Sequence, residues 1–222
     1  MTTLLRLGWL AKAPWNRADR FVFLNPGKLI DEELELVEPS DLWVPAMLAA
    51  VQDPATVERS PSLAAVTRQQ ITEFLSTCPM GHQKANFSSG VFPSYHFWMI
   101  NHRQPDMPIA GAICLRIGRG PELELYYGHV GYHVYPLHRG RHFAERSVRL
   151  LLPLARRHEI QPLWITCNPD NAASQRTCQR RGASMERTVD LPAGHPLTRS
   201  GDTVKCCYKL DVPADVDRRW TS

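Results

Sequence analysis

Residues 128–144, Gly-His-Val-Gly-Tyr-His-Val-Tyr-Pro-Leu-His-Arg-Gly-Arg-His-Phe-Ala, gather the side chains and backbone best suited to chemistry. Val130, Tyr132 and Val134 alternate with His129, Gly131 and His133, the period of a strand. A loop follows over 136–139, and an amphipathic helical pattern starts near Arg141. A strand that feeds an arginine-rich, glycine-containing turn and then a helix is suited to holding phosphate. The unused backbone N–H groups and the positive end of the helix both face the anion.

The elements that must position this stretch follow from periodicity. Residues 34–37 alternate as a first strand, and Ser40 is placed to cap a helix over 41–51, with Pro45 near its first turn. A second helix is expected over 62–76, where Leu63, Val66, Ile71, Phe74 and Leu75 largely share a face. Strands are expected over 95–100 and 109–117, joined by turn formers as a hairpin. A third, long strand is expected over 122–134, bulged near Gly128 and Gly131. The helix over 141–158 buries Ala144, Val148, Leu151, Leu152 and Ala155, and Pro153 must kink it or disturb its last turn. A strand over 163–167, a helix over 171–181 stopped by Gly182, and strands over 184–191 and 203–210 complete the order. The strand–helix–strand unit over 122–167 implies one parallel pair in an otherwise antiparallel sheet.

Composition narrows the function classes. The 222 residues suit one domain with an extension, and 43% hydrophobic with 22% charged residues is ordinary for a globular protein. Twenty-six basic against 22 acidic residues, a net charge of +4, fit a small anionic ligand and fall short of a nucleic-acid footprint. The six cysteines form no C-x-x-C pair, and Cys78 with His82 lacks a second pair at ligand spacing, so no metal site is expected. No apolar run approaches the roughly 18 residues of a membrane span, and Arg6 interrupts the apolar stretch that a signal peptide would need. A reduced, cytoplasmic setting without membrane association is expected.

With this element order and this turn, residues 34–210 resemble the GNAT acyl-coenzyme A N-acyltransferase superfamily. The resemblance implies an α+β fold: a mixed, mostly antiparallel sheet flanked by helices, with one parallel strand pair. Residues 1–33 would then be an N-terminal extension, 34–212 the acetyltransferase domain and 213–222 a tail. The family's phosphate turn, Arg/Gln-x-x-Gly-x-Gly/Ala, reads Arg139-Gly140-Arg141-His142-Phe143-Ala144 here, with His142 at the central glycine. Two readings of His142 stay open: an ordinary helical first turn that needs no positive φ, or a damaged pocket. By resemblance, Asn171 and Ser174 reach the coenzyme's pantetheine arm, though Asn171 also suits a helix cap. Free backbone groups at Val134 and Tyr135 would bind that arm and polarise the thioester.

The resemblance also implies the reaction: acetyl transfer from acetyl-coenzyme A, as co-substrate, to a primary amine by direct attack. Where the family often carries a carboxylate base, this chain has Gly128, so His129 is the candidate base, with Glu124 and Glu122 as rivals. His129 could equally be hydrogen-bonded within the sheet. Where the family has a tyrosine acid, this chain has Cys178, a candidate proton donor or a core cysteine. Phe87, Phe92, Tyr95, His96 and His195 suggest a partly aromatic acceptor pocket. The acceptor is expected to be a small-molecule or amino-acid-like amine, and the protein a monomer or homodimer. The alternatives are an inactive GNAT-like module that binds coenzyme A or another anion, and an RNA- or ribosome-associated acetyltransferase using Arg176, Arg180 and Arg181. Nucleic acid is the less favoured partner, because arginines on a helix are more often a solvated face.

Overall fold

The computed structural model describes residues 23–77 and 92–214. In chain order the principal elements are β1 (Leu29–Asp31), β2 (Leu34–Val37), α1 (Val44–Gln52), α2 (Pro54–Arg59), α3 (Arg68–Thr77), β3 (Ser94–Asn101), β4 (Ile109–Arg116), β5 (Val130–Val134), α4 (Phe143–Arg157), β6 (Leu163–Cys167), α5 (Ala172–Arg180), β7 (Ser184–Asp190) and β8 (Val204–Leu210). Short 3-10 turns precede α1 (Asp41–Trp43) and lie between α2 and α3 (Pro61–Ala65), so each expected early helix is broken. Pro45, Pro54 and Pro61 each sit in a first turn, where a missing N–H costs nothing. Cys78, His82 and Phe87 lie outside the described residues.

The strands form one eight-stranded sheet in the order β1-β2-β3-β4-β5-β6-β8-β7. All neighbours are antiparallel except β5 and β6, the parallel pair that the crossover through α4 requires. That pair is short: Val130 opposite Ile165 is its single register match, and His129 N–H donates to the Trp164 carbonyl at 2.7 Å. Beyond Val130 the two strands part.

Two layers cover the sheet. On one face α4 and the Leu- and Val-rich strands make the larger core, with Phe143, Leu151 and Leu163 at 1% exposure or less. On the other face α1 and α3 pack Met47, Val51 and Ile71 against Trp98, Ile100 and Tyr135. Pro153 lies inside α4, which continues to Arg157; the Arg149 carbonyl simply lacks its helical N–H partner.

One expected strand is different. Residues 122–127 form a π-helical segment, Glu122–Tyr127, and β5 begins only at Val130. The Glu-Leu-Glu-Leu alternation matched a strand, but Pro121 enters in the αR region and the Gly120 carbonyl accepts from Leu123 and Glu124. Leu123 and Tyr127 then bury together in a small cluster with Phe92 and Leu197. Gly128 ends the segment at φ 67, where a Cβ would lie 2.9 Å from the Thr166 nitrogen. Both facts demand glycine there, so no carboxylate can occupy that position.

Among the described residues no helix is long and apolar enough to cross a membrane. The five described cysteines, Cys114, Cys167, Cys178, Cys206 and Cys207, are free thiols buried in the core.

Candidate functional site

Where β5 leaves β6, its backbone is exposed on one side. Arg116 N–H bonds the His129 carbonyl and Tyr135 N–H bonds the Ala110 carbonyl at 2.9 Å, so the odd-numbered residues of β5 face β4. Alternation along the ladder turns the N–H and C=O of Tyr132 and Val134 toward the gap. The Val134 N–H thus faces the gap, while its carbonyl accepts from Arg139 Nε at 3.0 Å. Tyr135 does not face it: its N–H goes to β4, its C=O accepts from His138, and its side chain is buried against Met47. The second gap-facing residue is Tyr132.

The turn after β5 opens α4. Gly140 has φ 81 and His142, the residue before the helix, has φ 59 and ψ 22. An ordinary helical first turn at His142 is thus corrected: histidine occupies a left-handed position that glycine would take without strain, at about 1 kcal/mol. The cost is met locally, because Arg180 donates to His142 Nδ1 at 2.5 Å. The first i-to-i+4 bond of α4 runs from Arg146 N–H to the His142 carbonyl. The N–H groups of Phe143, Ala144 and Glu145 precede it and have no partner within the helix. The Phe143 ring itself is core, so only its backbone is available.

These residues line a cleft of roughly 780 Å³ between the turn, β5 and α5. Arg139, Arg176 and Arg180 line it, with Glu145 the acidic exception, which pairs with Arg181 at 3.5 Å. Arg141 is exposed at the turn and does not line the cleft. The sequence offers Arg176 and Arg180 only as a nucleic-acid surface, not as part of the coenzyme cleft. Their four-residue spacing puts them on one helical face, but only the packing of α5 beside the turn reveals what that face meets.

Asn171 caps α5, accepting from Ser174 N–H at 3.0 Å, and also lines the cleft. The hydroxyls of Ser174 and Tyr132 are hydrogen-bonded at 2.8 Å. Burial is the main cause that raises the Tyr132 phenol above its usual range, keeping it protonated. Cys178, behind them, is fully buried, and its thiol is pushed up to about 12 chiefly by burial. It lines neither cavity, so the core role fits it and the proton-donor role does not.

His129 is corrected as base. It is 2% exposed, its Nδ1 accepts from Trp164 N–H at 2.9 Å, and its Nε2 is 3.2 Å from the Gly118 carbonyl, to which it donates. No lone pair remains for a substrate proton. Burial holds its pKa down to about 4. Glu124 is also turned inward, its carboxylate accepting from Gly120 N–H at 3.1 Å, and Glu122 meets His195 at 2.8 Å. His133, His138 and His142 line the cleft; burial and then Arg139 hold His133 near 4 and neutral.

A second cavity, of roughly 380 Å³, is lined from β4, β5, β6, β8, α5 and the π-helical segment. Tyr126, Tyr127 and Leu197 form its apolar wall; Phe92, Tyr95, His96 and His195 do not line it. Tyr95 instead joins the larger core, its hydroxyl within 2.7 Å of His158 Nε2. At the opposite wall Lys205 Nζ donates to Asp202 at 2.7 Å and to Asn168 at 2.6 Å. The two cavities share three residues, Tyr132, Asn171 and Ser174, at the point where β5 and β6 part. One arginine-lined cleft and one polar chamber thus meet beside the gap between β5 and β6.

Residues 33–184 match the family model of the acetyltransferase (GNAT) domain. Among curated proteins no match was found. Solved structures share the fold at low identity. RimL, a ribosomal L7/L12 α-N-protein acetyltransferase in complex with coenzyme A, superposes with a TM-score of 0.59 at 16% identity, over 85% of this chain and 99% of its own. The microcin C7 self-immunity acetyltransferase MccE, in complex with acetyl-coenzyme A and AMP, gives 0.57 at 14%, over 82% and 94%. A GCN5-related N-acetyltransferase from Brucella melitensis gives 0.58 at 14%, over 89% and 81%.

Proposed function

This chain belongs to the GNAT acetyltransferase family, and on that premise we propose that it is an N-acetyltransferase that uses acetyl-coenzyme A and acetylates a small primary amine. The observation that carries the reading is the meeting of two cavities at Tyr132, Asn171 and Ser174. Each substrate has its own chamber, and the chambers touch where backbone donors are unpaired. Bound acetyl-coenzyme A supplies the activated acetyl carbonyl.

The chain's own groups do the rest. The N–H groups of Phe143, Ala144 and Glu145, with Arg139, Arg176 and Arg180, hold the pyrophosphate. The gap-facing amides of Tyr132 and Val134 align the pantetheine arm as a further strand beside β5, and the Val134 N–H polarises the acetyl oxygen. Tyr132, protonated and bonded to Ser174, holds the proton that the departing sulfur needs. It takes the part of the tyrosine that α5 lacks. The proton of the acceptor amine passes to water, since His133, held near 4 by burial, lines the coenzyme cleft and not the acceptor's cavity.

The fit to coenzyme A rests on the cationic lining and the unused helix N–H groups. RimL and MccE, both solved with coenzyme A or acetyl-coenzyme A, are consistent with it. A nucleic-acid reading loses its support, since Arg176 and Arg180 line the cleft and Arg181 pairs with Glu145.

Calorimetric titration with acetyl-coenzyme A, followed by thiol release against an amine panel, tests the proposal. Binding with amine-dependent release is expected. Binding with no release across the panel would instead make the chain a coenzyme-binding module. Tyr132→Phe is expected to lower kcat by about 100-fold or more, in line with general-acid contributions, with the coenzyme affinity unchanged within about twofold.

A further inference from the structure

The smaller cavity contains a buried cation that the described residues leave without a carboxylate partner. Arg116 ends β4 and is 7% exposed. Its Nη1 donates to the carbonyls of Tyr127 at 3.1 Å and Gly128 at 3.2 Å. Among the described residues no Asp or Glu forms an ion pair with it.

The chain treats its other withdrawn cations differently. Lys205 is neutralised by Asp202, and Arg146 lies between Asp31 at 2.6 Å and Glu33 at 2.8 Å. Two carbonyl dipoles position a guanidinium but do not balance its charge, and an unbalanced ion is costly to remove from water. The neighbouring sequence accommodates Arg116. A Cβ at Gly131 would come within 3.0 Å of Nη2, so glycine lets the guanidinium lie across β5, one residue from Tyr132. Tyr127, on the same chamber wall, has a buried hydroxyl with no hydrogen-bond partner.

We propose that Arg116 receives a carboxylate of the acceptor, so that the amine acetylated belongs to a free amino acid or a similar small carboxylate-bearing amine. This rests on the acetyltransferase reading above and narrows its substrate class. A guanidinium pairs a carboxylate through two parallel hydrogen bonds, and its position beside Gly131 puts the acceptor's amine toward the junction at Tyr132. A phosphate dianion calls for more positive charge, and Lys205 is already committed to Asp202. The N-terminus of a longer peptide presents an amide where this site presents its cation.

The test compares binding with turnover. The coenzyme A complex is titrated with N-acetyl amino acids, with their C-terminal carboxamides, with N-acetylphosphoethanolamine and with a short N-acetyl peptide amide. The free amino acids and the other matching amines are assayed for thiol release. Carboxylate probes are expected to bind at least ~30-fold more tightly than the carboxamides, the scale of a charge-assisted hydrogen bond. Arg116→Gln is expected to bring that ratio near one while acetyl-coenzyme A binds as to the wild type. A purely structural Arg116 would lower all affinities together and leave the ratio intact. Arg116→Lys keeps the charge and is expected to retain part of the preference should Arg116→Gln fold poorly.

Equal binding of carboxylate and carboxamide would overturn the assignment. So would an unchanged ratio in Arg116→Gln, tighter binding of the phosphate or peptide probe, or no binding of any carboxylate probe. Selective carboxylate binding without thiol release from any amine would uphold Arg116's role and overturn the transfer activity instead.

Discussion

His129 shows how far a residue's type can mislead about its work. A histidine beside a glycine at the start of the reactive strand looks like a base, but its two nitrogens bridge Gly118 and Trp164, joining segments 11 and 35 residues away. Nothing local in the sequence announces either partner. The same holds for Arg116, which reads as an ordinary strand end until Gly131 and Tyr127 are folded around it. His142 is intermediate: its departure from the family's glycine is visible in sequence, but the φ of 59 is not. The pKa of His129 makes a prediction. It falls from 6.5 unfolded to about 4 folded, so the unfolded chain binds the extra proton and stability rises with pH across that window. The contribution is complete above about pH 6.5 and is lost as pH falls toward 4, on the order of 3 kcal/mol. Urea unfolding from pH 7 to 4 is expected to show this slope, with a shallower one in His129→Gln alongside a lower stability at pH 7. An equal slope in the variant would assign the titration to other groups.

At the scale of elements, the long periodic segments were legible. The crossover from β5 through α4 to β6, the β3–β4 hairpin and the Gly182 stop after α5 all follow from hydrophobic period and turn chemistry. Residues 122–127 were not, because an alternating Glu-Leu run satisfies a strand pattern as well as the π-helical segment that Gly120, Pro121 and a burial site for Leu123 select. Nor was the joining of α4 to the first hairpin. Arg146 reaches Asp31 and Glu33, and Arg149 reaches Asp31 at 2.6 Å, contacts more than 100 residues apart. The hydrogen bond from Arg146 holds the Glu33 carboxyl down to about 2. Burial alone would raise Asp31, but its bonds to Arg146 and Arg149 leave it below the usual range. Arg146→Ala strands Glu33 and weakens the support of the helix that presents the phosphate turn. It is expected to cost about 3 kcal/mol in chemical unfolding, while a loss under 0.5 kcal/mol, the range of an exposed surface pair, would refute the tie.

For the molecule as a whole, two chambers meet at one point beside the sheet, at Tyr132, Asn171 and Ser174. Arginines from the turn and α5 surround the larger chamber, Arg116 and the Lys205–Asp202 pair mark the smaller, and β5 parts from β6 beside their junction. The turn is legible in the strand–turn–helix order, whereas the free backbone groups of the strand before it were implied by the family resemblance alone. The sequence left the second chamber obscure, because its walls come from β4, the π-helical segment, β6 and β8. A crystal structure of the acetyl-coenzyme A complex tests the central claim most directly. The pyrophosphate is expected on the N–H groups of Phe143, Ala144 and Glu145, with the acetyl oxygen at the Val134 N–H and the sulfur beside the Tyr132 hydroxyl. Pyrophosphate bound away from that turn, or an acetyl group directed away from Tyr132, Asn171 and Ser174, would contradict the account.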